Sequence, residues 1–207
     1  MDAKAMFKLT YGLFVLTAHE DDKDNGCIIN TAMQVTAEPN RICIAVNKDN
    51  YTHDMIMRTS EFSISVISQK ADFELFRHFG FQSGREVDKF SNYDRCQKSA
   101  NGTMIVLDGT NAYLSAHVTD VMDLGTHTLF VAEVTDMAVL NDDMSASYEY
   151  YHTHIKPQPQ EPLAQEQGKT VWRCMICNYE YEGGELPADF VCPWCKHPAS
   201  DFEKIAM

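Results

Sequence analysis

The sequence has few basic residues. Its 17 Lys and Arg stand against 30 Asp and Glu, which gives a formal net charge of -13. A charge of this sign repels phosphate backbones, so the composition argues against a nucleic-acid partner. Hydrophobic residues make up 44% of the chain and charged residues 23%, as in folded globular proteins. The composition therefore predicts a folded, acidic protein.

Long apolar runs are also missing. No segment approaches the roughly 20 apolar residues that a membrane-spanning helix needs. Residues 9–18 are apolar, but acidic residues follow at 20–22 and no convincing small-residue cleavage motif is present. We interpret this stretch as a core strand rather than a secretion signal, and we expect a cytoplasmic protein with no membrane partner.

Proline is nearly absent from the first three quarters of the chain. Only Pro39 lies before residue 156, and the other six prolines follow it. Segment 156–170 has three prolines, four glutamines and no aromatic residue, a composition that cannot form a core. The sequence therefore predicts a body at 1–155, a linker at 156–170 and a small C-terminal module at 171–207.

The body carries strand signals throughout. Short apolar, β-branched runs separated by turn residues predict a mainly β fold, an antiparallel barrel or sandwich with a few short helices. Helices are predicted at 52–59, with Thr52 as N-cap, and at 72–79, where three phenylalanines share one face. The predicted strands lie at 12–17, 26–29, 42–46, 62–67, 102–106, 112–121, 128–134 and 137–140.

The seven cysteines are unevenly distributed. Cys27, Cys43 and Cys96 are scattered, and ordinary packing or loop positions explain them. The other four form two C-x-x-C pairs separated by 14 residues: Cys174, Cys177, Cys192 and Cys195. Two such pairs supply four thiolates in a tetrahedron, which suits zinc or a single iron, so the spacing predicts a metal site without choosing the metal.

The residues around these cysteines resemble rubredoxin in the short-loop form found in rubrerythrins. The matching residues are Trp172, Tyr179, Tyr181, 186–190 and Phe202. The resemblance implies one Fe(SCys)4 centre that transfers single electrons. Asn178 and Lys196 stand where the family usually has glycine after each cysteine pair. The alternative is a structural zinc ribbon, which needs no aromatic shell.

A polar segment of the body is suited to an anion. Residues 30–39 and 42–46 predict two strands joined by a turn at Pro39, followed by a polar loop that enters the helix at Thr52. Hydroxyl groups, a helix N-terminus and Lys48 are together able to hold a phosphate. An ordinary helix cap is the alternative interpretation of the same residues.

The polar segment that begins at residue 30 is the first of three sequence blocks, and the other two lie at 79–90 and 125–134. In this order the three blocks resemble the flavin reductase family with its FMN-binding split barrel, over about residues 9–154. The resemblance implies a homodimer with one FMN per subunit, and it implies a role for His127 beside the nicotinamide of NAD(P)H, although Thr126 replaces the usual Asp of that motif. The residues that it implies for FMN binding are Asn30, Thr31, Val35, Thr36, Asn47, Lys48, Thr52, His53, Ser83, Gly84, Arg85 and Lys89.

The two segments in one chain resemble the high-molecular-weight rubredoxins. FMN can accept a hydride and release electrons singly, so the implied path runs from NAD(P)H through FMN to iron and then to an acceptor. The resemblance suggests a flavo-diiron protein that reduces nitric oxide or dioxygen as that acceptor. Three classes remain open: an NAD(P)H oxidoreductase, an electron carrier supplied by a separate reductase, and an FMN-binding protein whose zinc ribbon has no redox role.

Overall fold

The computed structural model describes residues 5, 8–157, 171–176, 179–193 and 197–205. None of the helices in these ranges is long and apolar enough to cross a membrane. The body contains two helices of eight or nine residues, α1 (Tyr51–Thr59) and α2 (Phe73–Gly80). Its strands are β1 (Phe14–Glu20), β2 (Lys23–Ile29), β3 (Ala32–Ala37), β4 (Asn40–Asn47), β5 (Glu61–Ile67), β6 (Cys96–Lys98), β7 (Met104–Val106), β8 (Thr110–Asp123) and β9 (His127–Val139).

Seven of these strands form one antiparallel sheet in the order β2-β1-β5-β8-β9-β4-β3. Buried side chains from β2, near one end of this order, and from β4, near the other, belong to the same apolar cluster, which α1 also joins. The sheet must therefore curl around a shared core. A second cluster lies under α2 and includes Leu75, Phe76 and Phe79. The predicted mainly β fold with a few short helices is confirmed.

Two of the differences between the observed and the predicted elements concern β9 and α1. The strands predicted at 128–134 and 137–140 are one continuous strand, β9, because register shifts in its pairing with β8 absorb the irregularity between them. Helix α1 begins one residue earlier than predicted, and its N-cap is Asn50 rather than Thr52. Thr52 instead lies in the first turn of α1 with its side chain buried.

The C-terminal module has a small antiparallel sheet in the order β11-β10-β12. Its strands are β10 (Val171–Cys174), β11 (Glu180–Glu182) and β12 (Phe202–Ile205). Of the predicted linker 156–170, only Lys156 and Pro157 are described. Lys156 is buried, and its N–H donates to the Tyr151 carbonyl, so the packed part of the body includes this residue.

Candidate functional site

Two of the predicted metal ligands form the centre of the C-terminal module. Cys174 ends β10 and Cys192 lies in the loop before β12, and both are fully buried together with Phe202. Their backbone N–H groups donate to the carbonyls of Tyr179 and His197, each at 2.8 Å. Each bond links a cysteine to the residue five positions after it, and both cysteines are 0% exposed.

Aromatic side chains surround this pair of cysteines. Trp172, Tyr179, Tyr181, Leu186 and Phe190 pack against the Cys174, Cys192 and Phe202 cluster. The Phe190 ring lies edge-on to Phe202, with 5.4 Å between the ring centroids. Buried thiols in an apolar shell fit a thiophilic metal such as iron or zinc, and such a shell influences the reduction potential of a bound metal.

The other two predicted ligands, Cys177 and Cys195, lie outside the described residues, as do Asn178 and Lys196. Among the described residues alone, no three His, Cys, Asp or Glu side chains converge on one point. The four-cysteine site therefore stays a prediction, supported by the burial of Cys174 and Cys192.

The predicted flavin residues lie in several separate places, and a first group lies at one end of β4 and β9. Asn47 is opposite His127 in the strand register, and the Lys48 N–H donates to the Thr126 carbonyl at 3.0 Å. The Lys48 amine is 2.6 Å from Asp123 Oδ1, and this bond lowers the pKa of Asp123. The structure thus joins the loop after β4 to the turn that contains His127.

The second group lies where the first turn of α1 meets the loop after α2. Asn25 Nδ2 donates to Thr52 Oγ1 at 2.9 Å, while Asn25 Oδ1 is buried with no partner among the described residues. A Cβ added at Gly84 would lie only 2.1 Å from that oxygen. Only glycine allows the backbone of the loop to approach Asn25 so closely.

Charged side chains of the same group are connected through α1. Asp54 Oδ2 accepts from Arg85 at 2.6 Å, and Asp54 Oδ1 lies 3.1 Å from Nδ1 of the buried His53. The other nitrogen of His53 is 2.8 Å from Thr128 Oγ1 on β9. Partial burial pushes the pKa of Asp54 up, but the hydrogen bonds from Arg85 and His53 outweigh it and lower that pKa.

Two cations border the same loop. Lys23 Nζ donates to the Gly84 carbonyl at 2.9 Å and lies 4.6 Å from the centroid of the Tyr51 ring. The Arg85 guanidinium is 5.1 Å from the same ring. Cations near the N-terminus of a helix favour an anion. The two cations lie beside the first turn of α1, so the group fits the phosphate-bearing part of a flavin nucleotide. The unpaired Asn25 oxygen is an acceptor, which a hydroxyl or N–H donor satisfies and a phosphate does not.

The remaining predicted flavin residues lie elsewhere. Asn30 and Thr31 follow β2, where Thr31 Oγ1 donates to the Ala45 carbonyl at 2.8 Å. Val35 and Thr36 lie on the exposed strand β3 at the end of the sheet order. Ser83 is exposed beside Gly84. Ser83 Oγ accepts from the Arg85 N–H at 3.3 Å, so Ser83 belongs to the second group. No described hydrogen bond joins the other four residues to that group.

Lys89 has a different environment from the other cations. Its side chain is 3% exposed, and its amine donates to the carbonyls of Gly26 and Phe79 at 2.7 and 2.8 Å. Burial lowers its pKa to about 8. Lys89 therefore bridges β2 and α2 below the loop that holds Gly84 and Arg85.

Sequence reasoning missed Lys23, Asn25, Tyr51 and Asp54. The clearest signal was Asn25, which is a single amide directly before an apolar run in a predicted strand. A buried amide in such a position needs a partner, and the structure supplies Thr52 from a distant part of the chain.

Comparison with known protein families identifies both parts of the chain. Residues 6–158 match the flavin reductase like domain, and residues 172–203 match the rubrerythrin, rubredoxin-like domain. The body also resembles the FMN-binding protein from Thermus thermophilus, with a TM-score of 0.57 and 24% identity over 63% of this chain and 73% of that one. At this identity the likeness shows the fold alone.

Two curated relatives are more similar in sequence. A ferric-chelate reductase (NAD(P)H) of Archaeoglobus fulgidus is 34% identical over 73% of this chain and 89% of its own. The high molecular weight rubredoxin of Moorella thermoacetica is 37% identical over 99% of this chain and 100% of its own. With a flavin reductase-like domain followed by a rubredoxin-like domain, the chain belongs to the family of high-molecular-weight rubredoxins.

Proposed function

We propose that the protein is an oxidoreductase that carries electrons from NAD(P)H through FMN to an Fe(SCys)4 centre and on to a redox protein. The observation that carries the proposal is the union of a flavin reductase-like domain with a rubredoxin-like domain whose Cys174 and Cys192 are fully buried. When bound, FMN supplies the conversion between two-electron and one-electron transfer. The relatives support the donor and the flavin, since one is an NAD(P)H-dependent reductase and another is an FMN-binding protein.

In this proposal the polar end of FMN is held by the group around Asn25, Thr52, Gly84 and Arg85. The Thr52 hydroxyl lies in the first turn of α1, where backbone N–H groups favour an anion. Arg85 and Lys23 add positive charge, and Asp54 holds Arg85 in position. His127 is half-exposed opposite Asn47, a position from which it can contact a nicotinamide.

The C-terminal module in turn holds the metal. Its aromatic side chains exclude water from Cys174 and Cys192, and a low local dielectric strengthens the effect of nearby charges and dipoles on a metal centre. The physiological acceptor that we propose is a redox protein such as a flavo-diiron protein. A separate upstream reductase is a partner only in the alternative in which the protein is an electron carrier. We place the pathway in the cytoplasm, where paired cysteines stay reduced and bind metal.

We also propose that the protein is a homodimer. Met33 and Val35 on β3, and Met137 and Val139 on β9, are between 43% and 75% exposed. Met33 and Met137 line an open groove of about 390 Å3. A neighbouring set of exposed apolar side chains of this kind is typical of a surface that a second subunit covers. Sedimentation of Met137→Asp should show a shift from dimer to monomer, whereas a wild-type monomer would contradict the proposal.

The test of the function is anaerobic stopped-flow absorbance after mixing the loaded protein with NADH or NADPH. We expect flavin reduction first, followed by iron reduction at a rate independent of protein concentration, because the two domains are tethered. Cys192→Ser is the matched variant: it should retain flavin reduction and lose electron delivery to the acceptor.

Three results would contradict or redirect the proposal. Stoichiometric zinc, with no iron form that cycles in a redox titration, would assign the metal a structural role. Iron reduced before flavin, or equally fast in flavin-free protein, would contradict the order of transfer. If the flavin is reduced only when a second reductase is present, the protein is an electron carrier rather than an NAD(P)H oxidoreductase.

A further inference from the structure

One aromatic residue of the body belongs to the apolar cluster of the C-terminal module. Phe81 packs against the cluster formed by Cys174, Cys192 and Phe202, where all the other members come from the module itself. The contact therefore joins the body directly to the centre that contains two predicted metal ligands.

The backbone of the body holds Phe81 in place. Phe81 is the C-cap of α2, and its N–H donates to the Arg77 carbonyl at 3.3 Å. Its ring lies edge-on to Phe73, with 5.7 Å between the centroids. Helix α2 is in turn anchored by the buried Phe76 and Phe79. Phe81 is thus a half-buried ring held by α2, and it packs against both the body and the module.

Phe81 also lies next to the candidate flavin site in the chain. Gly84 and Arg85, which approach Asn25 and Asp54, follow it by three and four residues. Even a fully extended chain of four residues spans only about 14 Å. The residue that contacts the metal-binding cluster is therefore within that distance of the loop proposed to hold FMN.

We propose that Phe81 is the docking residue that seats the metal-binding module beside the flavin site of its own chain. The inference deepens the proposed function and rests on it for the redox consequence, but the docking contact itself does not depend on electron transfer. Because the module is tethered, it exchanges between a docked and an undocked position within one molecule. A single apolar contact therefore has a large effect on the fraction of molecules in which the module is docked. Phe81 acts as a positioning residue and takes part in no bond change.

The first readout is structural. Small-angle scattering of the full metal-loaded chain should show a larger maximum dimension for Phe81→Ala than for the wild type, because the module leaves its seat. Phe81→Leu keeps an apolar side chain and should restore the compact curve. Tyr11→Ala is the matched control, since it removes another half-buried ring of the body, one that contacts Tyr148 and is not among the described residues of the cluster around Cys174.

The second readout is kinetic and uses the same four proteins with flavin and iron loaded. In Phe81→Ala, the rate of iron reduction after a single donor pulse should fall at least tenfold, while the rate of flavin reduction stays unchanged. During turnover, a bound reduced flavin would release its two electrons singly. Each electron would reduce one ferric ion to ferrous, the acceptor would reoxidise the iron between the two transfers, and the flavin proton would pass to water.

The two readouts separate the inference from the function. If Phe81→Ala scatters like the wild type and reduces iron equally fast, Phe81 is not the docking residue and the inference is wrong. If the wild type itself fails to reduce iron, the proposed function is wrong, while the scattering of Phe81→Ala still reports on docking.

Discussion

At the scale of single residues, the candidate flavin site depends on how closely two backbone segments approach each other. Asn25 is 2% exposed and lies between the Thr52 hydroxyl and the backbone of Gly84. The Asn25 side chain keeps this position only if the loop after α2, which contains Gly84, stays packed against it. The geometry of this loop therefore influences both the local stability and the position of Arg85.

The substitution Gly84→Ala tests this close approach. Its Cβ would lie 2.1 Å from Asn25 Oδ1, so the loop must move and the bond between Asn25 and Thr52 must weaken. We expect a loss of about 1–3 kcal/mol in the free energy of unfolding and weaker FMN retention. Thermal unfolding and flavin titration measure the two effects.

Gly184→Ala is the control for that substitution, because no heavy atom lies within 4 Å of its added Cβ. It should leave both unfolding and FMN retention unchanged. Equal FMN retention in Gly84→Ala and the wild type would show that the loop does not hold the flavin.

The buried amine of Lys89 predicts a pH dependence of stability. Its pKa in the folded protein is about 8, below the ordinary value of 10.5. Between these pH values the unfolded chain binds more protons than the folded one, so stability rises with pH over this window. The shift corresponds to at most about 3 kcal/mol.

Urea unfolding between pH 7.5 and 10.5 measures this effect, with Lys89→Met as the reference that lacks the titrating amine. The free energy of unfolding of the wild type should rise relative to that of Lys89→Met as the pH increases. A constant difference across the window would show that the Lys89 amine titrates normally.

At the scale of elements, helix α2 connects three features of the molecule. Its buried face forms part of the second core cluster, its carbonyl at Phe79 accepts from Lys89, and Phe81 follows its last residue. The helix has only eight residues, so its own hydrogen bonds contribute little stability. Its position depends on packing and on the cap at its start.

The cap is a suitable target for mutation. Asp72 Oδ1 accepts from the Leu75 N–H at 3.2 Å, and replacing such a cap by Ala costs about 1 kcal/mol. We expect Asp72→Ala to lower the melting temperature of the body by about 2–4 °C. Asp72→Asn retains an acceptor oxygen and should stay close to the wild type, and identical melting of Asp72→Ala would rule out a contribution from the cap.

At the scale of the whole molecule, the two domains have very different cores. The body has two large clusters of buried side chains. Among the described residues of the module, the buried core contains only Cys174, Cys192 and Phe202, with half-buried neighbours. A core this small rarely supports a fold without a metal or another crosslink. The module should therefore depend on its metal for folding.

Metal removal from the full chain tests this dependence. After chelation, the amides of β10, β11 and β12 should lose protection from hydrogen exchange, while those of β4, β8 and β9 keep it, because ligand binding contributes the folding free energy of the module. Cys192→Ser should show the same pattern before chelation. Unchanged protection in the module, with metal loss verified by analysis, would contradict a folding role of the metal.

The sequence by itself determined the features that depend on neighbouring residues. The spacing of Cys174, Cys177, Cys192 and Cys195 predicted a metal site, and strand periodicity predicted the mainly β fold. The order of motifs also indicated both families, which the comparisons confirm. Such patterns can be recognised in the sequence because the spacing of metal ligands and of apolar positions reflects local backbone geometry.

Only the tertiary structure decided which distant residues meet. Asn25 bonds with Thr52, Lys89 reaches the Gly26 carbonyl, and Phe81 contacts the cluster around Cys174. These contacts join residues from different strands, helices and loops, and a shift of one residue in the register of β2 would turn Asn25 to the opposite face of the sheet. For that reason the sequence could indicate the chemistry of the sites, whereas the relation between them became visible only in the fold.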